Sequence, residues 1–157
     1  MKLFAVTALG FALLSAPAFA GGHATGDAEA GAKVFNKCKA CHMIQDAEGN
    51  DIVKGGRTGP NLYGVYTRVA GSTDFKYGKS IVEAGEAGLE WNEEEFVKYV
   101  ADPKKYLAEY NDDKRAKSKM SFKLKKSDEA ANVWAYLVSV GPEVEAEAAD
   151  EAKAEDS

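Results

Sequence analysis

The pentapeptide Cys38-Lys39-Ala40-Cys41-His42 constrains this chain more than any other feature of its sequence. Cys-x-x-Cys-His is the attachment pattern of c-type haem, in which both thiols add to haem vinyl groups and become thioethers. The adjacent histidine then supplies an axial nitrogen to the iron. Because Cys38 and Cys41 are the only two cysteines, none remains for a disulfide framework. A zinc site would usually need four protein ligands, and thiol redox chemistry would favour a βαβ context; the sequence shows neither. The motif therefore predicts one covalently attached haem.

The N-terminus has the pattern of a secretory signal peptide. A short basic start precedes an apolar run, which ends in the small-residue cleavage pattern Ala18-Phe19-Ala20. A retained membrane anchor is the alternative, but the run is at the short limit for a spanning helix. We expect residues 1–20 to be removed and the mature protein to lie in the bacterial periplasm, because c-type haem is attached outside the cytoplasmic membrane.

The rest of the chain divides into one predicted domain, residues 21–142, and an acidic tail, residues 143–157. The tail holds seven acidic residues against Lys153, and the whole sequence has a net charge of −5. Because the tail has almost no apolar residue larger than alanine, we expect it to be disordered. An alanine–glutamate helix and an acidic docking arm are the alternatives. The acidic balance disfavours a nucleic-acid partner.

Apolar residues at helical spacing predict three helices in the domain, over residues 27–38, 93–101 and 128–140. Asp27, Asn92 and Ser127 stand where capping side chains are expected, and Asp102-Pro103 is expected to end the second helix. Gly31 is costly inside a helix, which indicates close contact with another helix. The glycine-rich segments between the helices contain no convincing strand. We therefore predict an all-α fold whose helices and long loops wrap around one haem.

The second axial ligand must come from the remaining histidine and methionines of the mature chain. His23 lies in a loose N-terminal arm, and Met43 follows His42 too closely to reach the other haem face easily. Met120 lies far along the chain, after a long irregular segment. Elimination therefore predicts Met120, although an isolated methionine can also be a filler of core gaps. Histidine–methionine ligation is associated with electron-transfer cytochromes and a raised reduction potential.

Several ordered motifs carry a more specific resemblance. They are Gly31 and Phe35, the haem-attachment pentapeptide, Thr58-Gly59-Pro60-Asn61-Leu62-Tyr63-Gly64, Trp91, Tyr99 with Asp102-Pro103, Lys119-Met120-Ser121-Phe122 and the final predicted helix. Over residues 27–140 the chain resembles a class I cytochrome c, most closely the bacterial cytochrome c-550 and cytochrome c2 group. Compared with short mitochondrial forms it is expanded around residues 46–55, 83–90 and 107–117.

The resemblance assigns roles to residues around the haem. It implies that the Pro60 carbonyl accepts a hydrogen bond from His42, which would orient the ring and strengthen it as a ligand. It also implies that Arg68, Tyr77 and Trp91 surround the haem propionates, since buried carboxylates need hydrogen-bond donors.

Two further roles follow from the same resemblance. Tyr99 corresponds to the tyrosine behind the methionine sulfur, which here belongs to Met120. Ser118 corresponds to a nearby hydroxyl group. Without the resemblance, the aromatic residues among these candidates could equally be ordinary core residues.

Lysines flank both predicted axial-ligand segments. They are Lys37, Lys39, Lys117, Lys119, Lys123, Lys125 and Lys126. If the two segments meet at an exposed haem edge, these lysines form a basic ring there, and similar cytochromes approach acidic partner surfaces through such a ring. An ordinary solvated face is the alternative for any single lysine.

The expected function is that of a soluble, monomeric electron carrier, not an enzyme. The resemblance implies that it takes electrons from a cytochrome bc1 complex and delivers them to a terminal oxidase (cytochrome c oxidase) or another redox protein. A haem peroxidase or gas-binding sensor is the alternative, and it needs an exchangeable sixth ligand and distal catalytic groups. No plausible distal histidine is present in the sequence. A haem module that anchors a larger complex is a third interpretation.

Overall fold

The computed structural model describes residues 24–143. The predicted signal peptide, His23 and all of the predicted acidic tail after Glu143 lie outside the described residues. The helices are α1 (Ala28–Phe35), α2 (Lys79–Glu86), α3 (Glu93–Ala101), α4 (Pro103–Tyr110) and α5 (Ser127–Val140). Strands β1 (Ile44–Gln45) and β2 (Asp51–Val53) form a small antiparallel sheet, and a short 3-10 helix covers Val65–Thr67.

Helices α1 and α5 pack closely against each other, as Gly31 predicts. A Cβ atom at Gly31 would lie 1.9 Å from the backbone oxygen of Asn132, so only glycine permits this approach. The Asn132 side chain also accepts a hydrogen bond from the backbone N–H of Asp27, at 2.8 Å. The rings of Phe35 and Tyr136 meet on the same interface with centroids 5.6 Å apart. The first and last helices are thereby fixed together.

Helix α3 has the predicted bounds, and Asn92 caps it through the backbone N–H of Glu95, at 2.9 Å. The prediction that Asp102-Pro103 ends α3 is correct, and the same two residues have a second role. Asp102 accepts a hydrogen bond from the backbone N–H of Lys105 at 3.2 Å, and Pro103 is the first residue of α4. Proline suits the first helical turn because the N–H it lacks would have no helical partner there. The same dipeptide therefore ends one helix and begins another.

Three other predictions about the fold need correction. The first helix ends at Phe35 and not at Cys38, because the chain tightens into turns, with Cys38 N–H donating to Phe35 O at 2.8 Å. Ser127 is the first residue of α5 and not its cap, which is Lys126. The glycine-rich segments contain α2 and the small sheet, whose strands of two and three residues are too short to produce a periodic pattern.

The core joins α5 to α3 and to the loop before α2. Trp134 is buried and packs on Phe96, with ring centroids 5.3 Å apart. Tyr66 meets Trp134 edge-on at 6.3 Å, an ordinary separation for such pairs. Among residues 24–143, none of the helices has the length and apolar character needed to span a membrane. The architecture is therefore helical with one small sheet.

Candidate haem-binding site

A cavity of about 250 Å³ opens beside this core. All nine residues predicted to contact the haem line it: Cys38, Cys41, His42, Pro60, Arg68, Tyr77, Trp91, Tyr99 and Met120. They come from segments distributed over more than half of the chain. The fold therefore brings the whole predicted set into one place.

One part of the cavity is formed by the pentapeptide and the loop after it. The Nδ1 atom of His42 lies 2.8 Å from the carbonyl oxygen of Pro60. A carbonyl only accepts, so His42 donates from Nδ1, and in the neutral ring the Nε2 atom then carries no proton. Burial lowers the pKa of His42, which favours the same neutral imidazole. A neutral imidazole with a free Nε2 lone pair is the form that binds a metal ion.

Close contact with Gly59 holds the imidazole in position. A Cβ atom at Gly59 would lie 2.4 Å from Cε1 of His42, so the ring occupies the space of a side chain. The backbone N–H of Gly59 also donates to the carbonyl of Cys41 at 2.9 Å. The loop that supplies Pro60 is thus joined to the haem-attachment motif at two points.

The two cysteines lie on the turn that precedes His42. The backbone N–H groups of Cys41 and His42 both donate to the carbonyl of Cys38, at 3.0 Å each. Cys38 is half-buried, and burial raises the pKa of its thiol to about 11, whereas Cys41 is exposed. Thioether formation removes the titratable proton, so this arrangement suits covalent attachment better than thiolate chemistry.

Met120 reaches the cavity on a segment that is fastened to the rest of the protein. The backbone N–H of Met120 donates to Oγ of Ser118 at 3.1 Å, and that hydroxyl donates to the carbonyl of Met120 at 2.9 Å. The Nζ atom of Lys119 donates to the carbonyl of Lys76 at 2.6 Å. Further along, Leu124 N–H donates to a backbone carbonyl of α3 at 2.8 Å. These contacts fix the segment that carries the methionine sulfur.

Two of the aromatic residues predicted to surround the haem contact each other. Trp91 and Tyr99 pack edge-on with ring centroids 5.1 Å apart. Burial raises the pKa of Tyr99, and a hydrogen bond with the Ser118 side chain opposes that increase. Tyr99 is therefore linked to the segment that carries Met120, and its place behind the methionine sulfur stays a prediction.

Polar groups on the cavity wall suit an anionic part of the ligand. Arg68 is half-buried and donates from Nη2 to the carbonyl of Asn61 at 3.0 Å, while burial lowers the pKa of its guanidinium. The hydroxyls of Thr73 and Tyr77 lie 2.6 Å apart. A haem propionate beside Arg68 would offset the cost of burying that cation. The apolar lining, the thiol pair and these donors together fit a haem.

Sequence reasoning missed much of the apolar lining. Val65, Ile81, Val100, Leu107 and Val133 all face the cavity. In the sequence, nothing distinguishes an apolar side chain that packs on a cofactor from one that packs on other side chains. Ile81 and Leu107 also belong to the two helices that were not predicted.

We predict that Gly59→Ala disturbs the site by pushing the His42 ring. Overpacking of this kind costs about 1–3 kcal/mol, and denaturant unfolding of the holoprotein measures it. The matched control is Gly78→Ala, which also lies on the cavity wall but whose Cβ would meet, among protein atoms, only the flexible side chain of Lys119, at 3.5 Å or more. Equal stability and equal visible spectra for the two variants would contradict the close contact.

Comparisons with known proteins agree with this geometry. The family model described as Cytochrome c matches residues 28–141. The chain is 57% identical over 118 residues to cytochrome c2 of Cereibacter sphaeroides, covering 73% of this chain and 95% of that protein. It is 48% identical over 146 residues to cytochrome c-550 of Paracoccus denitrificans, covering 91% of each.

A solved structure shows the same fold. The crystal structure of cytochrome c2 from Rhodobacter sphaeroides matches with a TM-score of 0.72 and 56% identity, covering 74% of this chain and 97% of that chain. The resemblance and the class I cytochrome c fold predicted from the sequence are thereby confirmed. The chain belongs to the cytochrome c family and carries one haem c, attached covalently through Cys38 and Cys41.

Proposed function

We propose that this protein is a periplasmic electron carrier in which His42 and Met120 bind the haem iron from its two sides. The observation that carries the proposal is that both side chains line one cavity, although they are far apart in the sequence. The similarity to proteins named cytochrome c2 and cytochrome c-550 supports it. The predicted signal peptide, residues 1–20, supports the periplasmic placement.

The haem supplies a one-electron couple between Fe(II) and Fe(III). The Pro60 carbonyl accepts the Nδ1–H of His42, so Nε2 is the ring atom that would bind the iron. The thioether of Met120 would favour the reduced iron, and the hydrogen bonds of Ser118 and Lys119 hold the segment that carries this side chain. Because these hydrogen bonds hold both segments, a haem bound between His42 and Met120 would need little reorganisation when it gains or loses an electron.

The rim of the cavity provides an apolar surface for partner contact. Val69 and Phe122 line the cavity, yet each keeps 38% of its surface exposed. Large apolar side chains left in water beside a cofactor are typical of contact surfaces. We place the haem edge through which electrons pass at this rim.

The lysines around the site divide into two groups. Lys123 pairs with Asp102 at 2.6 Å, and Lys37 and Lys126 both pair with Glu129. Lys119 is bound to a backbone carbonyl. Among the described residues, the exposed side chains of Lys39, Lys117 and Lys125 have no acidic partner within ion-pair distance. The latter group is available for an external partner.

We propose that these available lysines steer the protein, as a monomer, to acidic faces of a cytochrome bc1 complex and a terminal oxidase. Opposite charges on two protein surfaces accelerate and orient their encounter. A photosynthetic reaction centre or a periplasmic reductase with an acidic face would be approached through the same lysines. A peroxidase lacks support, because His42 is the one histidine among residues 24–143.

We predict that Met120→Ala keeps the covalent haem but opens the sixth coordination position. The reduction potential should fall, because the thioether that favours Fe(II) is lost. Exogenous imidazole should then bind to the ferric protein, as followed by visible spectroscopy. Met43→Ala is the control, since it removes the other methionine side chain among the described residues. An unchanged potential in Met120→Ala would exclude Met120 as a ligand.

We predict that the double variant Lys39→Gln, Lys117→Gln slows electron transfer to an acidic redox partner. The bimolecular rate should fall with ionic strength in the unmodified protein and depend less on it in the variant, because the Debye length is about 8 Å at physiological salt.

The control is Lys104→Gln, Lys114→Gln, which removes the same charge from exposed lysines that do not line the cavity. Equal rates and salt dependences in both double variants would refute steering by the lysines near the haem.

A further inference from the structure

One buried serine on α2 contacts both ends of the loop, residues 111–117, that leads from α4 towards Met120. At the start of the loop, Nδ2 of Asn111 donates to the carbonyl of Ser80 at 2.7 Å. At its end, the backbone N–H of Lys117 donates to Oγ of Ser80 at 3.1 Å. Ser80 is only 8% exposed. We propose that Ser80 is a positioning residue for Met120, which keeps the methionine in the sixth coordination position against competing small ligands.

The loop is folded on itself between these two contacts. The backbone N–H of Asp113 donates to the carbonyl of Ala108 at 3.0 Å, and that of Ala116 donates to the carbonyl of Asp113 at 3.0 Å. Ala116 is buried, with 1% of its surface exposed. Because the loop is compact, the place of its last residue depends on how both of its ends are held.

The contact at the start of the loop is the one that orients Asn111. The Oδ1 atom of this side chain is buried and has no hydrogen-bond partner among the described residues. Its Nδ2 atom is bound to the carbonyl of Ser80. The side chain of Asn111 therefore joins the end of α4 to α2.

Ser80 acts on the haem site through other residues. Neither Ser80 nor Asn111 lines the cavity, whereas residues 117–120, the Met120 segment, all do. The neighbour of Ser80 on α2, Ile81, also lines the cavity. The hydroxyl of Ser80 thus holds the first residue of the Met120 segment from behind the cavity wall.

The chain before α2 holds the same segment at a second point. The Nζ atom of Lys119 donates to the carbonyl of Lys76 at 2.6 Å. That contact is exposed and depends on a long side chain, whereas the contact of Lys117 joins a backbone N–H to a buried hydroxyl. A backbone contact has fewer rotatable bonds to fix, so Ser80 is the firmer of the two attachments.

The attachment matters because a small ligand can bind the iron only when Met120 leaves it. The apparent affinity for such a ligand is reduced by the fraction of molecules in the open state. A hydrogen bond that exists only in the closed state lowers this fraction, by a factor of about two to ten for one typical bond. The inference rests on the proposed function, since it requires Met120 to be the sixth ligand.

The test is a titration of the ferric holoprotein with imidazole, followed by visible spectroscopy. The decisive variant is Ser80→Ala, which removes the hydroxyl that accepts from Lys117. A second variant, Asn111→Ala, removes the other contact at a half-buried position, where the backbone has φ −88° and ψ −1° and suits alanine. The control is Asp27→Ala, which removes the side-chain cap of α1 and does not touch the cavity.

The control is matched in energy, because loss of a helix cap costs about as much stability as loss of one hydrogen bond, on the order of 1 kcal/mol. We expect imidazole to bind about two- to tenfold more tightly to Ser80→Ala than to the unmodified protein. Asn111→Ala should also bind it more tightly, and Asp27→Ala should not. Amide hydrogen exchange at Lys117 should be faster in Ser80→Ala, because its acceptor is lost.

An unchanged imidazole affinity in Ser80→Ala or in Asn111→Ala would overturn the proposal. Equal increases in all three variants would also overturn it, since they would reflect a general loosening of the fold. These results would leave ligation by Met120 intact. By contrast, an unmodified protein that binds imidazole as readily as Met120→Ala would refute that ligation, and with it both the proposed function and this inference.

Discussion

The contact between the haem and its apolar cavity is the interaction on which the rest of this structure depends. Residues from α2, α4 and α5, among them Ile81, Leu107 and Val133, face the same cavity. Burial of apolar surface contributes about 25 cal/mol per Å², and a covalently held haem gives these side chains a surface to cover. The haem is thus part of the core as well as the redox centre, which explains how a chain with long irregular segments folds.

The helices around the cavity were largely predictable from the sequence where local features, such as a cap, determine their bounds. Asn92 and its capped helix have the expected bounds, because a cap and an apolar stripe agree there. Gly31 was correctly interpreted as a helix contact. By contrast, Asp102-Pro103 was interpreted only as a stop, because the sequence does not tell whether a proline follows a helix or begins the next one. The small sheet escaped prediction because its strands have only two and three residues.

The residues of the site were likewise predictable only in part. The residues chosen from motifs, from Cys38 to Met120, all line one cavity. The apolar lining was missed because it has no motif. The lysines could not be sorted from sequence, since their pairing depends on tertiary contacts: Lys123 lies 21 residues from its partner Asp102, and Lys37 lies 92 residues from Glu129. A basic cluster in sequence is therefore only partly available to an external partner in the fold.

The central claim is that one haem iron is held between His42 and Met120 in both oxidation states. The most direct measurement is proton NMR of the reduced holoprotein with isotope-labelled methionine methyl groups. We expect the ring current of the haem to shift the methyl resonance of Met120 far upfield, while that of Met43 stays near its usual position. An upfield resonance that belongs to Met43, or no upfield methionine resonance at all, would contradict the account.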